Sequence, residues 1–413
     1  MRGLSGGTLG DARPDSPFGS PTVRPQRSAR IRRLRRVVLA GLAAAVPLAS
    51  CVQSGGVPED AGVPAPAAVA PAPCTPAPLG ERAAAVLVAG MPETLTPADP
   101  LATTLPRMGV GGILLTQRNV RSEGQVQALT AALRQRAPGP VLITTDEEGG
   151  QVSSFRPILG RSDSAFSIGG EDPDVLFARG RILGAYLRHL GLNGDLAPVA
   201  DVTVGDASTI GSRSFSSDPA TATTGVLAFS RGLADGGSVP TVKHFPGLGR
   251  STDDTHAEVA VVPTPRAELE REDLAPFSAA IRAGVPVVML SHAAYPALGI
   301  SGGPASLSPA AYALLRSMGF TGVAMTDSLG MGAVNLRFDY PEAGVRALVA
   351  GADALLFTDG NQAQRMRDAI VAAVRDGHLP EARLDEAAAR TAALAGRDPQ
   401  ALTCRSVTLP SLG

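Results

Sequence analysis

Eight short apolar runs recur between residues 86 and 357, and they constrain the fold more than any other feature of the chain. They are Val86–Gly90, Gly112–Thr116, Val141–Asp146, Asp195–Asp201, Thr241–Phe245, Val285–His292, Val323–Asp327 and Ala352–Phe357, each five to eight residues long. They lack a strict apolar/polar alternation, as strands buried on both faces should. Among and beyond them lie segments of helical period: Ser122–Arg136, Asp174–Leu190, Pro219–Ala234, Arg266–Ala283, Ser308–Met318, Pro341–Ala350, Asn361–Arg375 and Glu381–Leu394. In the first of these Ser122 stands at a capping position, and Val126, Leu129 and Leu133 follow at helical spacing. Eight strands alternating with helices predict an α/β fold, and a single (β/α)8 TIM-type barrel rather than an open doubly wound sheet. With aromatic residues at 4% and no Trp, the core must be built from Ala, Val, Leu and Ile, which suits parallel strands covered by helices.

A barrel of this kind carries its chemistry at the C-terminal ends of the strands and in the loops just beyond. Asp146, Asp201, Lys243, His244, His292 and Asp327 all fall at such ends. That concentration of polar groups predicts a polar ligand at one face. A formal net charge of −1 presents no strong field to nucleic acid. No metal-ligand spacing such as His-x-x-x-His occurs, and no phosphate-cradling Gly loop follows a strand. Neither a metal nor a cofactor is expected.

The N-terminus reads differently. The basic run Arg30–Arg36 precedes an apolar stretch, Val37–Leu48, that is too short for a permanent span, which needs about 20 residues. The pair fits the n- and h-regions of an export signal, and Arg35-Arg36 also admits the twin-arginine route. The stretch ends Leu48-Ala49-Ser50-Cys51, which resembles a bacterial lipobox. That resemblance implies cleavage before Cys51 and a lipid anchor on its thiol, tying the protein to the cell membrane. Residues 1–50 are therefore read as extension and export signal, and 51–79, rich in Pro and Ala, as a tether. A catalytic domain over 80–398 and a tail over 399–413 complete the expected organisation. Cys74 and Cys404 flank the globular region. An exported compartment permits a bridge between them, and two free thiols are the alternative.

The most specific segment is Lys243-His244-Phe245-Pro246-Gly247-Leu248-Gly249-Arg250-Ser251-Thr252-Asp253-Asp254-Thr255-His256. Its lysine and first histidine leave a strand end, and Asp254 and His256 stand two apart on the following loop. A carboxylate beside an imidazole can hold its tautomer and raise its basicity for acid/base work; taken alone, the pair reads first as part of a solvated loop. The segment resembles, without a gap, the signature of bacterial β-N-acetylglucosaminidases of glycoside hydrolase family 3, roughly Lys-His-Phe-Pro-Gly-His-Gly-Asp-Thr-x-x-Asp-Ser-His. Leu248, Arg250, Ser251 and Thr255 depart from it. The resemblance runs from near Glu81 to near Leu394. Asp146-Glu147-Glu148-Gly149-Gly150-Gln151-Val152 is similar to the family's Asp-Gln-Glu-Gly-Gly-Arg-Val. Gln151 and Ser154 stand where that loop usually has Arg, and Arg156 is positioned to compensate for the second loss. The fourth-strand segments Leu196–Asp201 and Ile210–Phe215 are similar to the family's as well.

Through the resemblance, Asp327 falls on the nucleophile, where in isolation it would read as a helix cap. Asp254 and His256 fall on the acid/base dyad, and Asp146, Arg213, Lys243 and His244 on residues that bind the terminal sugar. It implies a retaining exo-β-N-acetylglucosaminidase in which Asp327 forms a covalent glycosyl intermediate. The implied substrate is a GlcNAc-containing glycan or muropeptide, cut by a monomer. Phosphorolysis on the same fold and glycan binding without turnover remain as alternative readings.

Overall fold

A computed structural model describes residues 74–205 and 207–412. The export signal, Cys51 and most of the expected tether lie outside the described residues. The strands are β1 (Leu87–Gly90), β2 (Gly112–Leu115), β3 (Leu142–Thr145), a short hairpin β4 (Glu147–Gly149) and β5 (Val152–Ser153), β6 (Gly194–Asp195), β7 (Val239–Phe245), β8 (Val287–Leu290), β9 (Val323–Thr326) and β10 (Leu355–Phe357). Eight of them build two parallel four-stranded sheets, in the orders β10-β1-β2-β3 and β6-β7-β8-β9.

Backbone hydrogen bonds also cross both boundaries between these sheets. Asn193 N donates to Ile143 O at 2.9 Å and Leu196 N to Thr145 O at 2.7 Å; on the other side Thr326 N donates to Ala354 O at 3.0 Å. The side chains explain why the runs showed no alternation. Val88, Leu114, Leu196, Val287, Met289, Val323, Met325, Ala354 and Leu356, drawn from both sheets, form one small apolar cluster. Their neighbours Leu87, Ile113, Ile143, Val242, Val288, Ala324 and Leu355 pack into the larger core under the helices. Both strand faces are apolar because both are covered.

The helices follow their sequence signals closely where local chemistry decides. Glu123–Arg136 begins at Ser122, whose side chain accepts from Gln125 N. The expected helix over Arg266–Ala283 is instead two, Arg266–Arg271 and Leu274–Arg282. Pro276 has no N–H for the carbonyl of Glu272, and its ring crowds that carbonyl, so the chain breaks there. The run expected as a strand over Asp195–Asp201 pairs regularly only at Gly194–Asp195. Pro198 cannot donate to a ladder, and beyond it Val199 makes a single bridge to Lys243. Helices at Leu79–Ala85, Leu101–Met108 and Pro399–Thr403 have no counterpart in the sequence reading. The last lies in the segment expected as a tail, yet Leu402, Leu409 and Leu412 pack on the domain's apolar clusters. Cys404, just after that helix, is disulfide-bonded to Cys74. Among the described residues no helix is long and apolar enough to cross a membrane.

Candidate active site

Three strand ends deliver the site. β3 ends at Thr145, so Asp146 is the first residue beyond it and the β4–β5 hairpin follows at once. β7 pairs with β8 through Lys243↔Met289 and Phe245↔Leu290, a register shift that leaves His244 without a partner position. Such an irregularity re-aims a side chain at a sheet's rim. β9 ends at Thr326, and Asp327 N still donates to Leu290 O at 3.0 Å, fixing the backbone that carries its carboxylate. Asp146, Arg213, Lys243, His244, His256 and Asp327 all line one cavity of about 360 Å³. Asp254 does not line it and reaches it through His256.

One side of the cavity is built around a residue that the sequence alone did not single out. Glu148, in the hairpin, is 2% exposed. Its Oε1 lies 2.6 Å from Lys243 Nζ, and Arg213 donates to both of its oxygens at 2.7 and 2.8 Å. Burial opposes the charged carboxylate, but Lys243 and Arg213 outweigh it and bring the pKa down to about 2. Lys243 also donates to Asp146 Oδ1 at 2.6 Å, so two of its three N–H donors are occupied and one is left for a ligand. Burial works against its charge too, yet Asp146 and Glu148 prevail and raise its pKa.

Asp201, buried completely, orders the next residue. It accepts from His244 Nδ1 at 2.7 Å, from His244 N at 3.1 Å and from Leu248 N at 2.6 Å. With the proton held on Nδ1, His244 Nε2 is an acceptor facing Arg213 Nη2 at 3.4 Å. Asp201 was already placed at a strand end by the sequence, but its partner, like the role of Glu148, was hard to find because the partners lie 43 and 65 residues away in sequence.

Asp327 accepts from Ser328 N at 2.7 Å. Burial alone would raise its pKa; the imidazoles of His292 and His244, the Ser328 amide and the Lys243 ammonium outweigh it and hold the carboxyl below its ordinary value. Burial lowers the pKa of His292, which bridges Ser306 Oγ at 2.6 Å and Ser328 O at 2.9 Å. An ionised carboxylate at the cavity wall can attack an electrophilic carbon.

The loop after β7 supplies the imidazole. His256 and Asp254 have side chains 72% and 62% exposed, and Asp254 Oδ1 takes both the His256 N–H at 2.9 Å and Nδ1 at 2.8 Å. Those two bonds, led by the backbone one, lower the Asp254 pKa and keep it a carboxylate. Gly332 N donates to His256 O at 2.9 Å and Ala333 N to Thr255 O at 3.2 Å, which ties this loop to the turn after Asp327. A Cβ at Gly332 would sit 2.5 Å from two carbonyl oxygens of the loop, so the approach requires glycine.

Two of the departures from the family signature, Arg250 and Leu248, have local structural accounts. Arg250 lies 2.6 Å from Glu268 and 2.8 Å from Asp273 and also pairs with Glu272, fastening the loop to the helices beside it. Leu248 is buried and forms an apolar part of the cavity wall. Arg156 donates to the Gly150 carbonyl and closes the hairpin instead of lining the cavity, so it does not take the place of the arginine missing at Ser154. Among the described residues no group of three or more His, Cys, Asp or Glu side chains is placed to hold a metal ion.

Parallel strands that bring a carboxylate, an imidazole and a cation–carboxylate cluster to one sugar-sized cavity define a glycoside hydrolase. The chain belongs to glycosyl hydrolase family 3, whose N-terminal domain model matches residues 84–394. Over 390 residues it is 34% identical to the beta-hexosaminidase LpqI of Mycobacterium tuberculosis, covering 87% of this chain and 97% of that protein. The solved structure of M. tuberculosis LpqI gives a TM-score of 0.71 at 34% identity over 80% of this chain and 99% of that one. A family 3 beta-N-acetylglucosaminidase from Paenibacillus sp. FPU-7 gives 0.74 at 33% identity over 81% of this chain. This chain spans 65% of the Paenibacillus chain.

Proposed function

We propose that the protein is a retaining exo-β-N-acetylhexosaminidase that removes terminal GlcNAc from peptidoglycan fragments or related glycans. The observation that carries this reading is the convergence of Asp327, His256 and the Lys243–Glu148–Arg213 cluster on a single cavity. Asp146, Arg213, Lys243 and His244 bind the hydroxyls of the terminal sugar. The Asp327 carboxylate attacks C1 and forms a glycosyl ester as the glycosidic C–O bond breaks, while His256 gives its proton to the leaving oxygen. His256 then takes a proton from water, whose oxygen attacks C1 and releases Asp327. Asp254 orients the imidazole and stabilises its cationic form.

The bonds across both sheet boundaries support a closed (β/α)8 barrel. The signal preceding Cys51 supports an exported protein held at the cell membrane by a lipid on that residue, and the Cys74–Cys404 disulfide suits an oxidising compartment. The test is turnover of a panel of aryl glycosides. Wild type is expected to cleave the β-N-acetylglucosaminide, and Asp327→Ala to lose at least about 10³-fold in kcat. Absence of wild-type turnover across roughly pH 5–8, where histidine titrates, would overturn the reading.

A further inference from the structure

A cavity of about 550 Å³ opens at the base of the sheets, on the side away from the catalytic residues. Residues 138–141, which line it, lead into β3, and Asn193 leads into β6, whereas Asp146, His244 and Asp327 stand at or beyond strand ends. Two helices finish at this cavity. Arg134 lies in the last turn of Glu123–Arg136 and Arg188 in the last turn of Pro173–His189. Both arginines line the cavity, and among the described residues no Asp or Glu does. A cation is favoured at a helix C-terminus. That accounts for each arginine separately but not for two in one cavity.

Both side chains are held in place without being spent. A Cβ at Gly191 would lie 3.1 Å from Arg134 Nη1, and one at Gly237 would lie 3.1 Å from Arg188 Cγ, so each arginine packs against a glycine turn. Among the described residues neither guanidinium has a hydrogen-bond or ion-pair partner, unlike Arg136, which donates to Pro97 O at 2.6 Å and Ala102 O at 2.9 Å. Burial and then the charge of Arg188 lower the pKa of Arg134. At the cavity's edge Arg397 donates to Pro140 O at 2.6 Å and to the Gly109 and Val110 carbonyls at 3.1 and 3.0 Å, again with no acid partner among the described residues. Like charges gathered without compensation repel one another, and a bound anion relieves that repulsion.

The chain enters the domain close to this cavity. Cys74 is bonded to Cys404, Ala77 N donates to Leu402 O at 2.9 Å, and the helix that holds this carbonyl starts at Pro399, just after Arg397. We propose that Arg134 and Arg188, with Arg397 beside them, bind the phosphate of an anionic lipid headgroup, so that the base of the domain faces the membrane and the catalytic cavity faces away from it. The proposal rests on the reading of Cys51 as the lipid anchor, because the chain that carries Cys51 joins the domain on this side. A tetrahedral phosphate presents oxygens to two guanidiniums at once. A formal net charge of −1 gives the whole molecule no attraction to an anionic surface, so a local patch has to supply it. The carbonyl ends of both helices oppose an anion, so the affinity is moderate.

The experiment uses the full chain as Cys51→Ser, which cannot take the lipid, and phosphatidylcholine vesicles with and without phosphatidylglycerol. Adding Arg134→Gln and Arg188→Gln should weaken binding to the anionic vesicles by about tenfold, and Arg134→Lys with Arg188→Lys should keep most of it. Arg266→Gln with Arg346→Gln removes the same charge from exposed positions on other helices and should change binding by less than about twofold. Neutral vesicles should not distinguish these proteins. Equal weakening by both glutamine pairs, or none by either, would overturn the site. A loss in the lysine pair as large as in the glutamine pair would overturn it too, since it would show that the arginines act through packing. Inorganic phosphate that binds in calorimetry and is lost with the Arg134–Arg188 glutamine pair, while vesicle binding is unchanged, would overturn the lipid as source. Absence of lipid on Cys51 of the mature wild type, by mass spectrometry, would instead remove the anchor reading on which the membrane orientation depends.

Discussion

The two sides of the catalytic cavity are built in opposite ways. On one, Glu148, Lys243 and Arg213 form a buried network in which each charge is held by another, with side chains 2%, 3% and 17% exposed. On the other, Asp254 and His256 stand in solvent on a loop tied to the turn after Asp327 by two backbone hydrogen bonds. Under the proposed function, the difference separates two tasks. Groups that bind hydroxyls gain from being fixed and dry, because a preorganised donor loses nothing to reorganisation when the ligand arrives. A group that must give a proton to one oxygen and take one from water needs access to both.

The comparison makes its strongest prediction on the exposed side. His256→Ala should lower kcat by about 10²- to 10⁴-fold, the range for loss of general acid/base catalysis. Because the side chain is largely exposed, the same change should leave stability within about 0.5 kcal/mol of wild type. Parallel kinetics and urea unfolding check both halves. A His256→Ala protein that unfolds much more easily would show that the loop is a structural element of the site.

The buried side should behave in the reverse order, stability first. Glu148→Gln should cost roughly 3 kcal/mol at neutral pH, as expected from a carboxylate shifted from its ordinary value to about 2. The sign follows from the depressed folded-state pKa. The stabilising contribution is present above the unfolded value near 4.5 and is lost as pH falls through the folded value near 2. The gap between wild type and variant in urea midpoints should therefore shrink as pH falls through that interval. A constant gap would mean that Glu148 acts through shape instead of charge.

The same division explains what the sequence could disclose. Strands, most helices and the polar strand ends were legible because they depend on periodicity and on neighbours close in the chain, as Ser122 and its cap illustrate. The break at Pro276 was equally local and could have been read from the missing N–H. The roles of Glu148 and Asp201 were not legible, since their significance lies in partners brought close only by folding. For Cys74 and Cys404, composition left bridge and free thiols open, and the fold brings the two together across 330 residues. Asp327, Asp254 and His256 were legible only through the resemblance. Taken singly, each had an ordinary structural reading.

The central claim is that Asp327 carries a covalent sugar during turnover. Incubation with a fluorinated N-acetylglucosaminyl donor that forms the intermediate faster than it hydrolyses, followed by proteolysis and mass spectrometry, tests it most directly. The account predicts one added sugar mass on the peptide containing Asp327 and none in Asp327→Ala. A label on another carboxylate, or steady turnover of the natural-type substrate with no label anywhere, would contradict it.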